Sequence, residues 1–223
     1  MKPFPVLALA LVLGWSGPAS AAPPPDAKAI ADAVDHRYNN LRSLRAEFTE
    51  IYRGAGLDRT ESGTLWLKRP GKMRWEYRRP REKLFLADGK DAWFYVPGER
   101  QARKAPLKKV DDLRSPLRYL LGKTKLAKEF DGLAVAEDVV PLARGNLMLR
   151  GAPHALADRV TSVLLEITPE SRIARLLIEE VDGSTTEFRF ADTAENVTIS
   201  DDRFRLSLPP DVEVVESSEQ PVP

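Results

Sequence analysis

Among the residues that could take part in catalysis are two histidines, His36 and His154. Acyl transfer needs a nucleophile within hydrogen-bond reach of a base, and glycoside cleavage needs convergent carboxylates. His36 falls in a helical stretch and His154 in a Gly-Ala-Pro-His loop, and neither belongs to a recognisable catalytic motif. The acidic pairs Asp111-Asp112 and Asp201-Asp202 occur in turn-like sequence, where solvated carboxylates are the ordinary explanation. Zinc-ligand spacing, a phosphate-binding loop and a dinucleotide glycine pattern are missing, and there is no cysteine. These residues argue against an enzyme, a cofactor or a resident metal. What stands out instead is one cation in an apolar row and a concentration of aromatic area.

The cation is Arg69, in the stretch GTLWLKRPGKMRWEYRRP from Gly63 to Pro80. Side chains on a strand alternate, so Gly63, Leu65, Leu67 and Arg69 share one face, with Thr64, Trp66 and Lys68 on the other. Pro70-Gly71 turns the chain, and Met73, Trp75 and Tyr77 then alternate with Arg74, Glu76 and Arg78, which predicts a hairpin with one apolar face. A guanidinium on that face is costly unless something accepts its hydrogen bonds. Trp66, Trp75, Phe85, Trp93, Phe94 and Tyr95 lie close together in the same region. A packed sheet core would account for them, and so would a curved sheet enclosing a ligand cavity.

Elements must position these residues. Ile30, Val34, Tyr38 and Leu41 recur at spacings of four and three, predicting a helix over Ala27–Leu44 with Asp26 as N-cap. Strands are predicted at Arg45–Arg53, Leu57–Lys68, Met73–Arg78, Leu84–Ala87, Ala92–Val96 and Arg100–Lys104, joined by short turns as an antiparallel meander. Ser115-Pro116 signals a short helix carrying Leu117, Leu120 and Leu121, and a second helical piece follows at Leu126–Phe130. Strands resume at Leu133–Val140, Asn146–Leu149, Val160–Thr168, Arg172–Val181, Thr185–Ala191 and Arg203–Ser207. About eleven strands exceed what a flat twisted sheet holds, so strong curvature is expected.

The 223 residues suit one domain, and 43% hydrophobic with 30% charged residues is an ordinary soluble composition. Residues 1–21 read as a signal peptide: basic Lys2, apolar Val6–Leu13 and a small-residue cleavage site at Ala19-Ser20-Ala21. Without Lys2 the 34 basic residues become 33, equal to the 33 acidic ones, which argues against nucleic-acid binding. The basic runs Arg78-Arg79-Pro80-Arg81 and Arg100–Lys109 read as solvated faces, with a docking patch for an acidic partner as the alternative. Residues 22–208 form the expected domain and 209–223 an acidic flexible tail.

The runs SGTLWLKRPGKMRWEYRRP, LADGKDAWFYVPGERQ and SPLRYLLG, with LRSLRAEF at Leu41–Phe48, resemble the LolA family, the periplasmic outer-membrane lipoprotein carriers. The match covers Leu41 to Gly122; the C-terminal third agrees in strand rhythm more than in words. The resemblance implies a mainly β, α+β fold: an unclosed antiparallel β-barrel with a helical lid over an apolar cavity. It implies that Arg69 latches the lid through backbone carbonyls. Leu65, Leu67, Met73, Trp75, Tyr77, Phe85 and Trp93 would line the acyl-chain cavity, and Leu117, Leu120 and Leu121 would belong to the lid. Met73 stands where the family often has an aromatic residue. The implied partners are acylated lipoproteins, an inner-membrane lipoprotein-releasing ABC transporter and an outer-membrane receptor, with the carrier a periplasmic monomer. A lipid-sensing regulatory module of the same fold is the competing function.

Overall fold

The structure, a computed structural model, describes residues 26–107 and 125–216. The expected signal peptide, the Ser115-Pro116 helix start and the last seven residues lie outside the described residues.

Helix α1 spans Ala27–Asn40, and Asp26 caps it by accepting a hydrogen bond from the Lys28 N–H at 3.0 Å. It ends four residues before the predicted boundary. Leu41 is already extended, and the first strand begins at Ser43. Leu41 and Leu44 prolong the helical spacing, but Leu44 is an inward position of that strand, opposite Leu67.

Among the described residues, twelve strands form one sheet. They are β1 Ser43–Gly54, β2 Leu57–Lys68, β3 Lys72–Arg79, β4 Lys83–Asp88, β5 Asp91–Tyr95 and β6 Gln101–Pro106, followed after a short helix α2 (Leu126–Glu129) by β7 Phe130–Val135, β8 Leu147–Pro153, β9 Val160–Ile167, β10 Ile173–Glu180, β11 Thr185–Glu195 and β12 Glu213–Glu216. The order is β12-β6-β5-β4-β3-β2-β1-β11-β10-β9-β8-β7. Two antiparallel meanders thus meet where β1 pairs with β11, and the sheet stays open at β12 and β7.

Two expectations are corrected here. Arg203–Ser207 is no strand: a 3-10 turn at Asp201–Phe204, whose Asp202 N–H donates to the Ser200 hydroxyl, rolls Phe204 onto the sheet. The predicted Leu133–Val140 strand starts and stops earlier, at Phe130–Val135, and Ala136 beyond it packs in a small cluster with Met148 and Leu164 on the convex face. Within the segment expected to be a tail, Glu213–Glu216 adds a parallel strand to the β6 edge, whose backbone groups would otherwise face water unpaired.

The concave face and α1 share one apolar core, in which Ala31, Val34, Tyr38 and Leu41 meet residues from β1–β11. The convex face carries a second cluster beneath the segment 197–206, where Leu84, Leu86, Ile199 and Phe204 pack with Trp66 and Trp93. Lys68 and Lys72 hold that segment through Asp201, whose carboxyl their hydrogen bonds bring down to about 2. A groove of about 690 Å³ runs beneath it, with Trp66, Arg74 and Arg203 in its wall.

Candidate functional site

The register of the β2–β3 hairpin places the predicted face as one surface. Leu65 stands opposite Trp75, Leu67 opposite Met73 and Gly63 opposite Tyr77. Gly63 permits the close strand approach: a Cβ there would stand 1.9 Å from the Glu76 carbonyl oxygen. Phe85 extends the row onto β4, beside Trp75. Leu65, Leu67, Met73, Trp75, Tyr77 and Phe85 are all buried in the concave core.

Trp93 does not join them. Along β5 the side chains alternate, and Ala92, facing Ala87, is the inward residue, whereas Trp93 faces Leu86 on the convex side. There its indole N–H donates to Asp88 at 3.1 Å. The residue beside it, Phe94, pairs with Phe85 and holds the inward register. Aromatic type pointed to the right strand, and parity decides the face.

Trp75 lies at the centre of the concave aromatic set. Its ring meets Phe48 edge-on at 4.7 Å and Phe188 at 5.7 Å, and Phe190 lies 6.4 Å away. These three partners come from β1 and β11, which the sequence reading left out of the site. The Phe188-x-Phe190 spacing put both on one face and was the available signal.

Arg69 follows directly on β2 and reaches across to the last turn of α1. One terminal nitrogen donates to the Asn39 carbonyl at 2.8 Å and the other to the Tyr38 carbonyl at 2.5 Å. A helix C-terminus leaves its final carbonyls without intrahelical partners and carries about half a negative charge, so a guanidinium suits that place without a carboxylate. Backbone carbonyls thereby accept hydrogen bonds from the cation in the apolar row.

Other contacts hold α1 at further points. The Tyr38 hydroxyl accepts a hydrogen bond from the Ile173 N–H at 3.0 Å, and burial pushes its phenol up to about 12. Arg37 clasps both Glu195 oxygens, at 2.8 and 2.6 Å. Asp35 accepts the Leu126 N–H at 2.9 Å and so fastens α2 to α1. Through these contacts the helix bridges the β2–β3 turn, the start of β10, the end of β11 and α2. Leu117, Leu120 and Leu121 lie outside the described residues.

The histidines take no part. His36 contacts Asn40 on the exposed side of α1, and His154 lies 3.1 Å from Asp131 at the surface.

A family model described as outer membrane lipoprotein carrier protein LolA matches residues 39–207. An outer-membrane lipoprotein carrier protein of Nitrosospira multiformis is 28% identical over 181 residues, covering 79% of this chain and 83% of its own. That of Chromobacterium violaceum is 27% identical over 218 residues, covering 96% and 98%. Among solved structures, LolA superfamily protein NE2245 from Nitrosomonas europaea aligns with a TM-score of 0.46 at 13% identity, over 81% of this chain and 97% of that one. With three quarters of its length matched by that family model, this chain belongs to the LolA family of outer-membrane lipoprotein carriers.

Proposed function

We propose that this protein is a periplasmic carrier that accepts lipoproteins from an inner-membrane ABC transporter, shelters their acyl chains against the concave face, and delivers them to an outer-membrane receptor. The observation that carries this reading is the Arg69 contact: a cation fixed to the sheet holds the end of a helix that covers an apolar concavity. Leu65, Leu67, Met73, Trp75, Tyr77 and Phe85 contact the cargo in this reading.

The energetics suit a cover that opens and recloses. Each buried methylene contributes about 0.8 kcal/mol, so exposing an acyl chain of about fifteen carbons to water costs roughly 12 kcal/mol. Displacing α1 uncovers Val34 and Tyr38, each worth about 1.5–3 kcal/mol when buried, and breaks the Arg69 contacts. The incoming chain offsets these losses by covering the same apolar surface. The restored helix contacts favour release once a receptor competes for the chain. Binding and exchange suffice, without a bond-making step.

The test is reconstitution. Purified protein is mixed with inner-membrane vesicles bearing the transporter and a lipoprotein, and the soluble fraction is then transferred to vesicles bearing the receptor. Carrier function predicts a soluble one-to-one complex followed by delivery. A protein that binds the lipoprotein yet never releases it to the receptor would instead be a sensor.

A further inference from the structure

The inward side chains of β2 read, in order from the α1 end, Leu67, Leu65, Gly63, Glu61 and Arg59, so the apolar row runs into charge. Glu61 is 6% exposed, and Glu50, directly opposite it on β1, is likewise 6% exposed. The Tyr77 hydroxyl donates to Glu50 at 2.6 Å, and the Lys83 ammonium donates to Glu61 at 2.6 Å. Arg59 reaches the same two carboxylates, at 3.8 Å from Glu50 and 3.2 Å from Glu61. Tyr77 forms the boundary: its ring meets Phe48 edge-on at 4.8 Å, while Lys83 lies over it 4.1 Å from the centroid. Two carboxylates and two cations thus close one end of the apolar surface.

We infer that this ionic cluster is the floor of the acyl site and sets the longest chain that the protein shelters along its full length; the inference rests on the carrier reading above. An acyl chain that reached Glu50 and Glu61 would have to desolvate charges without offering them a hydrogen bond, which is unfavourable. From Leu67 to Gly63 a strand advances about 14 Å. Half of a bilayer hydrocarbon core is about 15 Å, the reach of one membrane-lipid chain of about 16 carbons. The apolar run therefore matches one such chain, and methylenes beyond it must fold back or remain in water.

The probe is a water-soluble pentapeptide carrying one N-terminal acyl chain of 8 to 20 carbons, titrated against the intact protein below its own aggregation concentration. Affinity should rise about fourfold per methylene, the equivalent of its transfer free energy, and level off near 16 carbons. The double variant Glu61→Leu/Lys83→Met removes both members of a buried pair together, which is better tolerated than removing one. Arg59 is partly exposed and can turn to water. In that variant the levelling should move by at least two carbons toward longer chains. Should it fail to fold, Glu50→Leu/Tyr77→Phe removes the other hydrogen-bonded pair and is read in the same way. A wild-type affinity that climbs without a break to 20 carbons overturns the inference, as does a break that no folded variant moves. Failure of every chain length to bind would instead sink the carrier reading.

Discussion

At the scale of single residues, Arg69 and Glu50 make opposite use of charge in an apolar setting. Arg69 is satisfied by two helix-end carbonyls, and hydrogen bonds from a charged donor contribute about 1.5–3 kcal/mol. Arg69→Leu should therefore raise the open-to-closed ratio roughly ten- to a hundredfold, because the bonds exist only when α1 is seated. Loading should persist while release to the receptor slows, each followed separately with purified membranes. Wild-type rates for both steps would make Arg69 an ordinary structural arginine. Glu50 is different: burial raises its carboxyl above the ordinary value, against the opposing hydrogen bond from Tyr77. The folded protein keeps that proton where the unfolded chain has lost it. Its contribution to stability is thus fully present at acid pH, and declines as pH rises from about 4.5 through the raised value. The advantage in Tm of Glu50→Gln over wild type should grow between pH 4 and pH 8, and a constant difference would show that Glu50 is not the titrating group.

At the scale of elements, the fastenings that hold α1 to the sheet differ in kind. Tyr38→Phe leaves the buried Ile173 N–H without its acceptor and should cost on the order of 1–3 kcal/mol. Hydrogen exchange at the Ile173 amide should quicken more than exchange at the centre of β2; equal protection in both proteins would mean that α1 is not held there. Much of this element scale was legible in the sequence. The Leu57–Lys68 strand has the predicted bounds, and period-two alternation set the inward face of β2 and β3. The misjudged places share a cause, which is that local pattern does not reveal the partner. Leu44 fits a helical stripe and an inward strand position equally well. Trp93 is apolar and aromatic on either face, and only pairing with Leu86 puts it outside. The fastening of α1 to Ile173 joins residues 135 apart in the chain, which no window of sequence can bring together.

At the scale of the molecule, a single open sheet must manage two edges. β12 guards one of them with four residues whose side chains are all exposed, so it adds little burial while occupying the hydrogen-bonding groups of β6. A chain ending at Pro210 should stay within about 1 kcal/mol of wild-type stability but self-associate at lower concentration, measured by sedimentation velocity. An unchanged association profile would deny β12 that role. The pairing of β1 with β11 has another consequence. Phe48 and Phe190 sit side by side at the centre of the sheet, so the seam closes only after almost the whole chain is available. Such high contact order places folding in the slow range of milliseconds to seconds, because the entropy of closing so long a loop is lost before the contact forms. A chain entering its compartment N-terminus first would present Trp75 and Phe48 well before Phe188 and Phe190 arrive to cover them. During that interval the apolar surface is open to any other greasy molecule, including a second nascent copy. The carrier itself begins life as cargo in need of shelter.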